Sequence, residues 1–241
     1  MIAEAAGLVV LAIAVWFLPP LIHRAAQTYI GRASAKRLRR IALTYDDGPG
    51  AELTPQLLEL LTRYRAPATF FLLGRRTNAA PGLARELASA GHEVGLHSFD
   101  HLHAWKTVPW RAVRDLHHNK WAVDALGTAP RLLRPPYGKM TLVTWLWSVV
   151  RGARIAWWTY DSGDTWSELP DPDWIAQRLI RVGGGVVLLH DFDRKGSCDR
   201  DSRHMYVLAV TQAILEQGCR AGFTFCRYSE FGGKNGSSSG S

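Results

Sequence analysis

From Arg40 onward the chain alternates between two kinds of segment. Short apolar runs recur as IALTY (41–45), ATFFLL (68–73), EVGL (93–96), RLL (131–133), RIAWWTY (154–160), VVLLH (186–190) and FTFC (223–226). Between them lie stretches of helical periodicity: QLLELLTRY (56–64), PGLARELASAG (81–91), Pro109 to Leu126, a segment within Thr141 to Val150, Pro172 to Arg181, and roughly Ser202 to Gln217. Runs without polar alternation read as strands buried on both faces. Seven strands alternating with six helices predict an α/β architecture, a parallel sheet clad by helices and either open or closed into a barrel. Thr54 and Pro55 read as the N-cap and first residue of the first of these helices. A content of 47% hydrophobic and 21% charged residues suits a folded globular chain, and most of the ten tryptophans are expected in its core.

In such folds reactive groups collect just beyond the C-terminal ends of the strands. Polar clusters stand at five of those positions: Asp46 and Asp47 in TYDDGPG, His97 and His101 in HSFDH, Arg134 in RPPYG, Asp161 and Asp164 in DSGDTW, and His190-Asp191. Together they would converge on one rim. His97 and His101 are four residues apart, so one helical turn or a tight loop points both imidazoles the same way. Two histidines and a carboxylate make a three-ligand site for a divalent cation with positions left open, the catalytic rather than the structural type. One of Asp46 and Asp47 would bind the cation and the other would take a proton from a water activated there. A cation relieves the repulsion between adjacent carboxylates, and Zn²⁺ lowers the pKa of a water to about 7. Taken alone, Asp-Asp-Gly-Pro would be only a turn closing a strand. His103 is a further ligand candidate, while His117 and His118 fall in a helix and read as solvent-facing.

The N-terminal segment is of another kind. Gly7 to Ile22 reads GLVVLAIAVWFLPPLI without a charge. The run from Ile2 carries only Glu4 and is long enough to cross a bilayer core of roughly 30 Å. No Lys or Arg precedes it, so an uncleaved anchor is expected rather than a cleaved signal peptide. Pro19-Pro20 would bend or stop the helix. Residues 1–22 are thus read as a single-pass anchor and 23–39 as a basic juxtamembrane linker. Residues 40–231 form the folded domain, and 232–241 a flexible tail. Arg24, Arg32, Lys36, Arg37, Arg39 and Arg40 all follow the run, which by the positive-inside tendency leans the domain to the cytoplasmic face. The net charge of +8 reads as attraction to anionic lipid headgroups. No basic-aromatic pattern points to nucleic acid. Cys198, Cys219 and Cys226 lack metal-type spacing. A Cys219–Cys226 disulfide is conceivable, but three free thiols are the plainer reading.

The motifs TYDDGPG, ATFFLLG, GHEVGLHSFDH, RPPYG, WTYDSGD and VLLHD, in that order, resemble the polysaccharide deacetylases of carbohydrate esterase family 4, which carry the nodulation-protein-B homology domain. The resemblance covers about residues 40 to 231 and implies a distorted (β/α)7 barrel. It implies Asp46 as general base, Asp47, His97 and His101 as ligands, and Arg134 as the partner of the base. Tyr137 would offer its backbone N–H to the oxyanion. His190 would be the general acid, held charged by Asp164. Leu188 would line the pocket for the acetyl methyl, with Trp166 and Pro136 beside the substrate. Two positions depart from the family's pattern: Thr165 intervenes between Asp164 and Trp166, and Leu133 replaces the usual aromatic residue before Arg134.

The resemblance implies a hydrolase, a metal-dependent carbohydrate N-deacetylase. Zn²⁺ is expected, and Co²⁺, Ni²⁺ or Mn²⁺ would also suit. The short distance from Ile22 to the first strand keeps the domain near the bilayer, which favours a membrane-near or lipid-linked N-acetylated amino sugar as substrate. The alternatives are a peptidoglycan or chitin-like polymer at the cell surface, and deformylation of a lipid-linked amino sugar. Expected partners are the glycan and, through the anchor and basic linker, membrane lipids.

Overall fold

The structure is a computed structural model and describes residues 2–194 and 197–232. It opens with helix α1 (Ile2–Leu38) and proceeds through β1 (Arg40–Asp46), α2 (Leu53–Arg63), β2 (Ala68–Leu72), α3 (Gly74–Ala79), α4 (Pro81–Ser89) and β3 (Glu93–Leu96). Then come α5 (Pro109–Asp124), β4 (Leu132–Leu133), α6 (Leu142–Val150), β5 (Arg154–Ile155), β6 (Tyr160–Asp161), α7 (Pro172–Arg181), β7 (Gly185–His190), α8 (Ser197–Arg220) and β8 (Thr224–Phe225). All strand pairs are parallel, in the order β5-β4-β3-β2-β1-β7-β6, with β8 added against the start of β1. The sheet curls into the expected distorted barrel.

Side-chain alternation along β1 sorts its residues between two compartments. Ile41, Leu43 and Tyr45 pack in the main core with Leu57 and Leu61 of α2, Leu179 of α7 and Ile214 of α8. Thr44 and Asp46 point the other way, into the barrel, where the fully buried Arg134 meets both. Ala35, Ala42, Val186, Cys226 and Phe231 form a separate apolar cluster.

The run 154–160, expected as one strand, is divided. Its start pairs with β4 and its end with β7, at opposite edges of the sheet. Ala156 N–H donates to Leu133 O at 2.8 Å and Thr159 N–H to Val186 O at 3.0 Å, so one bent segment spans the gap and distorts the barrel. Helix α1 lies along this gap. Trp157 Nε1 donates to His23 Nδ1 at 3.2 Å, the Arg24 guanidinium sits 4.8 Å from the Trp158 ring centre, and Gly31 abuts Thr159.

Three further expectations are corrected. Helix α1 runs unbroken through Pro19 and Pro20 and through the segment expected as linker. An interior proline costs about 3 kcal/mol, and packing of Phe17, His23, Arg24 and Ala35 on the domain offsets it. Thr54 does not cap α2, which starts at Leu53. Its hydroxyl instead accepts from Gly50 N–H at 2.8 Å and donates to Asp191 Oδ2 at 2.7 Å. Most tryptophans are not core: Trp147 and Trp157 are buried, while Trp105, Trp110, Trp121, Trp166 and Trp174 are exposed. Cys219 and Cys226 are free thiols, which agrees with the plainer reading of the sequence. Cys198, as a side chain, and the tail from residue 233 lie outside the described residues.

Candidate active site

Asp46 ends β1 and His190 ends β7, and the two are register partners on adjacent strands. Arg134 follows β4. Its Nη1 donates to Asp46 Oδ1 at 2.8 Å and to Thr44 Oγ1 at 2.7 Å, and its guanidinium carbon lies 4.2 Å from the centre of the Phe71 ring. Both partners of this ion pair are buried. Removing one member of such a pair strands the other charge, whereas the intact pair adds little net stability. In the loop after β6, Asp164 accepts from His190 N–H at 2.8 Å and meets His190 Nδ1 at 3.1 Å. Burial alone would lower the His190 pKa. The Asp164 carboxylate outweighs it, with help from Asp47 and Asp46, and raises the imidazole to about 9. Arg203 Nη1 donates to Asp164 O at 2.8 Å and to Trp166 O at 3.0 Å, fixing the loop that carries Asp164.

Asp47, His97 and His101 come from two loops in unusual backbone conformations. Asp47, Ser98 and His101 have φ of 72°, 84° and 59°, which non-glycine residues adopt only where surrounding contacts enforce it. Those contacts are visible. Asp115 of α5 accepts from Phe99 N–H and Asp100 N–H, both at 2.9 Å. One turn on, Asn119 accepts from Ser98 N–H at 3.0 Å and donates to Leu72 O at 3.0 Å. Asp191 braces the other loop. Its N–H donates to Asp46 O at 3.1 Å, and its carboxylate lies so close to Gly48 that a Cβ there would fall 2.1 Å from Oδ2. Burial raises Asp191 to about 7.

The residues present fit a divalent cation. The donor atoms of Asp47, His97 and His101 lie within 4.8 Å of one another. His97 Nδ1 meets Arg134 O at 2.8 Å, so that nitrogen carries the proton and Nε2 is left as the free lone pair. His97 Nε2 and His101 Nε2 approach Asp47 Oδ1 at 3.3 and 3.2 Å, yet that buried oxygen has no hydrogen bond. Burial lowers His101 to about 4, which keeps it neutral as a ligand must be. For Asp47 burial acts upward, but the His97 imidazole beside it, with the charge of His190, outweighs it and holds the carboxyl below the usual range.

A pocket of about 350 Å³ joins these groups, lined by Asp46, Asp47, His97, His101, Tyr137 and His190, with Leu188, Asp161, Thr165 and Trp158 among the others. Tyr137, at φ 56°, has its ring 4.5 Å from that of His101. Two residues expected beside the substrate stand elsewhere. Trp166 lies in a neighbouring groove with Arg32 and Arg178, and Thr165 takes the place at the pocket wall. Pro136 is buried and turned toward a small cavity behind the pocket. His103 is no part of the ligand cluster, and its Nδ1 accepts from Trp105 N–H at 3.2 Å. His118 is exposed, as expected, and stacks on Trp121, while His117 is half-buried with its ring edge-on to Trp147. Asp115, Asn119 and Arg203 were not identified from sequence, and Asp191 was placed on the rim beside His190 without its bracing role. The one local trace of Asp115 and Asn119 was two polar residues one turn apart on the otherwise apolar buried face of α5.

A curled parallel barrel whose strand ends bring an Asp-His-His cluster beside an Asp–Arg pair and an Asp–His pair defines a hydrolytic centre. The family model for polysaccharide deacetylase matches residues 33–164. The chain belongs to that family, and with it to the carbohydrate N-deacetylases. A peptidoglycan-N-acetylglucosamine deacetylase of Bacillus cereus is 31% identical over 192 residues, covering 79% of this chain and 86% of that protein. The peptidoglycan-N-acetylglucosamine deacetylase of Listeria monocytogenes is 33% identical over 171 residues, but they span 70% of this chain and only 36% of that longer protein. A crystal structure of a peptidoglycan N-acetylglucosamine deacetylase superposes with a TM-score of 0.73 at 26% identity, covering 81% of this chain and 89% of that one.

Proposed function

We propose that this chain hydrolyses the N-acetyl amide of N-acetylglucosamine residues in a glycan of the peptidoglycan type, releasing acetate and a free amine. The observation that carries the proposal is the register pairing of Asp46 with His190, with the Asp47-His97-His101 cluster beside them in one pocket. Asp46, buried against Arg134, takes a proton from the attacking water as its oxygen adds to the amide carbon. The oxyanion so formed accepts a hydrogen bond from Tyr137 N–H, which lines the pocket and has no partner among the described residues. One such donor contributes about 10²–10³ in rate. His190, kept protonated beside Asp164, gives its proton to the amine nitrogen as the C–N bond breaks. Leu188 offers an apolar wall for the acetyl methyl. A divalent cation held by Asp47, His97 and His101, with Zn²⁺ the first choice by donor set, would polarise the carbonyl and ease deprotonation of the water.

A second reading keeps the same chemistry on a lipid-linked amino sugar. It is favoured by helix α1, long and apolar enough to cross a membrane, which reaches the pocket rim where Arg24 Nη1 donates to Gly138 O at 2.9 Å. A wall polymer requires the domain on the outer face, against the cytoplasmic lean of the basic residues. A lipid-linked substrate allows either face. Mass spectrometry of amine release tests both readings with detergent-purified protein and Zn²⁺. Acetyl loss from peptidoglycan fragments or chito-oligosaccharide supports the first. Loss only from a polyprenyl-phosphate N-acetylhexosamine supports the second, and no acetyl loss from any of them overturns both.

A further inference from the structure

We propose that the outer face of α6, together with the exposed edge of α5, is a membrane-contact surface that seats on an anionic phospholipid bilayer and holds the pocket mouth at headgroup level. The argument begins with where α6 packs. A groove of about 580 Å³ joins Trp145 of α6 to Leu11, Val15, Leu18 and Ile22 of α1. All four lie within the charge-free run Gly7 to Ile22. That run is about 23 Å long at 1.5 Å per residue, and the groove with Trp145 extends along it from Leu11 to Ile22. Helix α1 therefore cannot enter a bilayer without carrying α6 to the bilayer surface.

The face that α6 then presents suits that place. Thr144, Trp147 and Ser148 are its buried side. Leu146, Val149 and Val150 are 45%, 58% and 80% exposed, on a helix with no charged residue. Alongside, Trp110 and Trp121 of α5 are 72% and 66% exposed and share a groove of about 640 Å³ with Arg114 and Arg151. Exposed aliphatic and tryptophan side chains with interleaved cations mark the membrane–water interface. Each cation near an anionic surface contributes about 1 kcal/mol. A second copy of the chain would not need this basic fringe, and a soluble domain rarely exposes so large an apolar patch unpartnered.

The placement has a consequence for the pocket. Phe17 packs edge-on to Trp105 at 5.2 Å, and Trp105 Nε1 donates to Met140 O at 2.8 Å. Arg24, about two turns further along α1, bonds the Gly138 carbonyl at the pocket wall. The rim of the pocket thus meets α1 where its apolar run ends, so a glycan unit borne at the bilayer surface reaches the site without leaving it. This inference rests on α1 entering the bilayer and is independent of the acyl group removed.

The test is depth-dependent quenching of a bimane probe on the full chain in phosphatidylglycerol–phosphatidylcholine vesicles, in a Cys198→Ser, Cys219→Ser background. Probes at Val150→Cys, at Leu11→Cys in α1 and at Gln212→Cys on the far helix α8 are compared. The expected result is a blue-shifted Val150 probe quenched at least threefold more by shallow doxyl lipid than the Gln212 probe, with Leu11 quenched by deeper label. A Val150 probe that behaves like Gln212 while Leu11 is quenched leaves the anchor standing and overturns the membrane face. An unquenched Leu11 probe overturns both. A Val150 blue shift that rises with protein concentration and is insensitive to doxyl lipid assigns the face to self-association instead. Acetate release from a soluble chito-oligosaccharide by Val149→Glu/Val150→Glu stays within twofold of the parent, so a failure here is distinct from a failure of the deacetylase reading.

Discussion

Asp46 and His190 stand opposite each other at the ends of adjacent strands, whereas Asp47, His97 and His101 are carried by loops whose backbones enter the left-handed region. The acid–base side is fixed by sheet register and two buried charge pairs, Arg134–Asp46 and His190–Asp164. The ligand side is fixed from a distance, by Asp115 and Asn119 of α5 on one loop and by Asp191 with Thr54 on the other. The first side is rigid because the barrel is; the second is rigid only while its braces hold. Substitutions on the two sides should therefore fail in different ways.

The widest separation is expected between Asp46→Asn and Asp47→Ala. The first should lower acetate release by about 10²–10⁴, the range for a positioned base, while cation content stays at the parent level. The second should lose activity and bound cation together. Equal cation loss in both variants would merge the two sides into one. Next in size is Arg134→Met, which leaves Asp46 buried without its partner and should cost about 3–5 kcal/mol in urea unfolding. A loss below about 1 kcal/mol would contradict the reading of this pair as fully desolvated.

Asp115→Ala probes the brace. It leaves Phe99 N–H and Asp100 N–H without their acceptor, at about 1–3 kcal/mol of stability, and should weaken cation affinity about 10–100-fold, as loss of outer-shell support does. The alkaline limb of the pH–rate profile should not move, because His190 lies on the other side. Asp164→Asn should do the reverse. The raised pKa of His190, about 9, means that its proton is present below that pH and lost above it. The parent's alkaline limb should lie no higher than about 9, since a bound cation adds positive charge nearby. In Asp164→Asn only the weaker pull of Asp47 and Asp46 opposes burial, so the limb should shift to lower pH with cation affinity unchanged. The same pair contributes stability that is complete below the ordinary imidazole value and fades as pH rises toward about 9.

The comparison also accounts for what the sequence made legible. Each acid–base and ligand residue sits within five positions of a strand end, and an apolar run followed by a polar cluster is a local pattern. The braces are long-range: Asp115 lies 15 residues beyond Asp100, and Asp191 lies 137 beyond Thr54. Nothing local marks either as reaching a loop. The division of 154–160 was hidden for a related reason, since both halves are equally apolar and only their partners, β4 and β7, differ. Trp166 was placed beside the substrate by the family resemblance, but the intervening Thr165 occupies the wall and Trp166 faces the next groove. The exposed tryptophans were misplaced because residue type predicts burial only on average.

The central claim is that Asp47, His97 and His101 together hold one divalent cation without which this pocket does not cleave the acetamide. It is tested most directly by measuring bound cation and acetate release in the same chelator-stripped preparation as Zn²⁺ is added back. The account predicts that stripped protein is inactive, that activity returns in step with the first equivalent bound, and that His97→Ala neither binds that equivalent nor recovers. Stripped protein that releases acetate at the parent rate, or a His97→Ala variant that binds and recovers as the parent does, would contradict it.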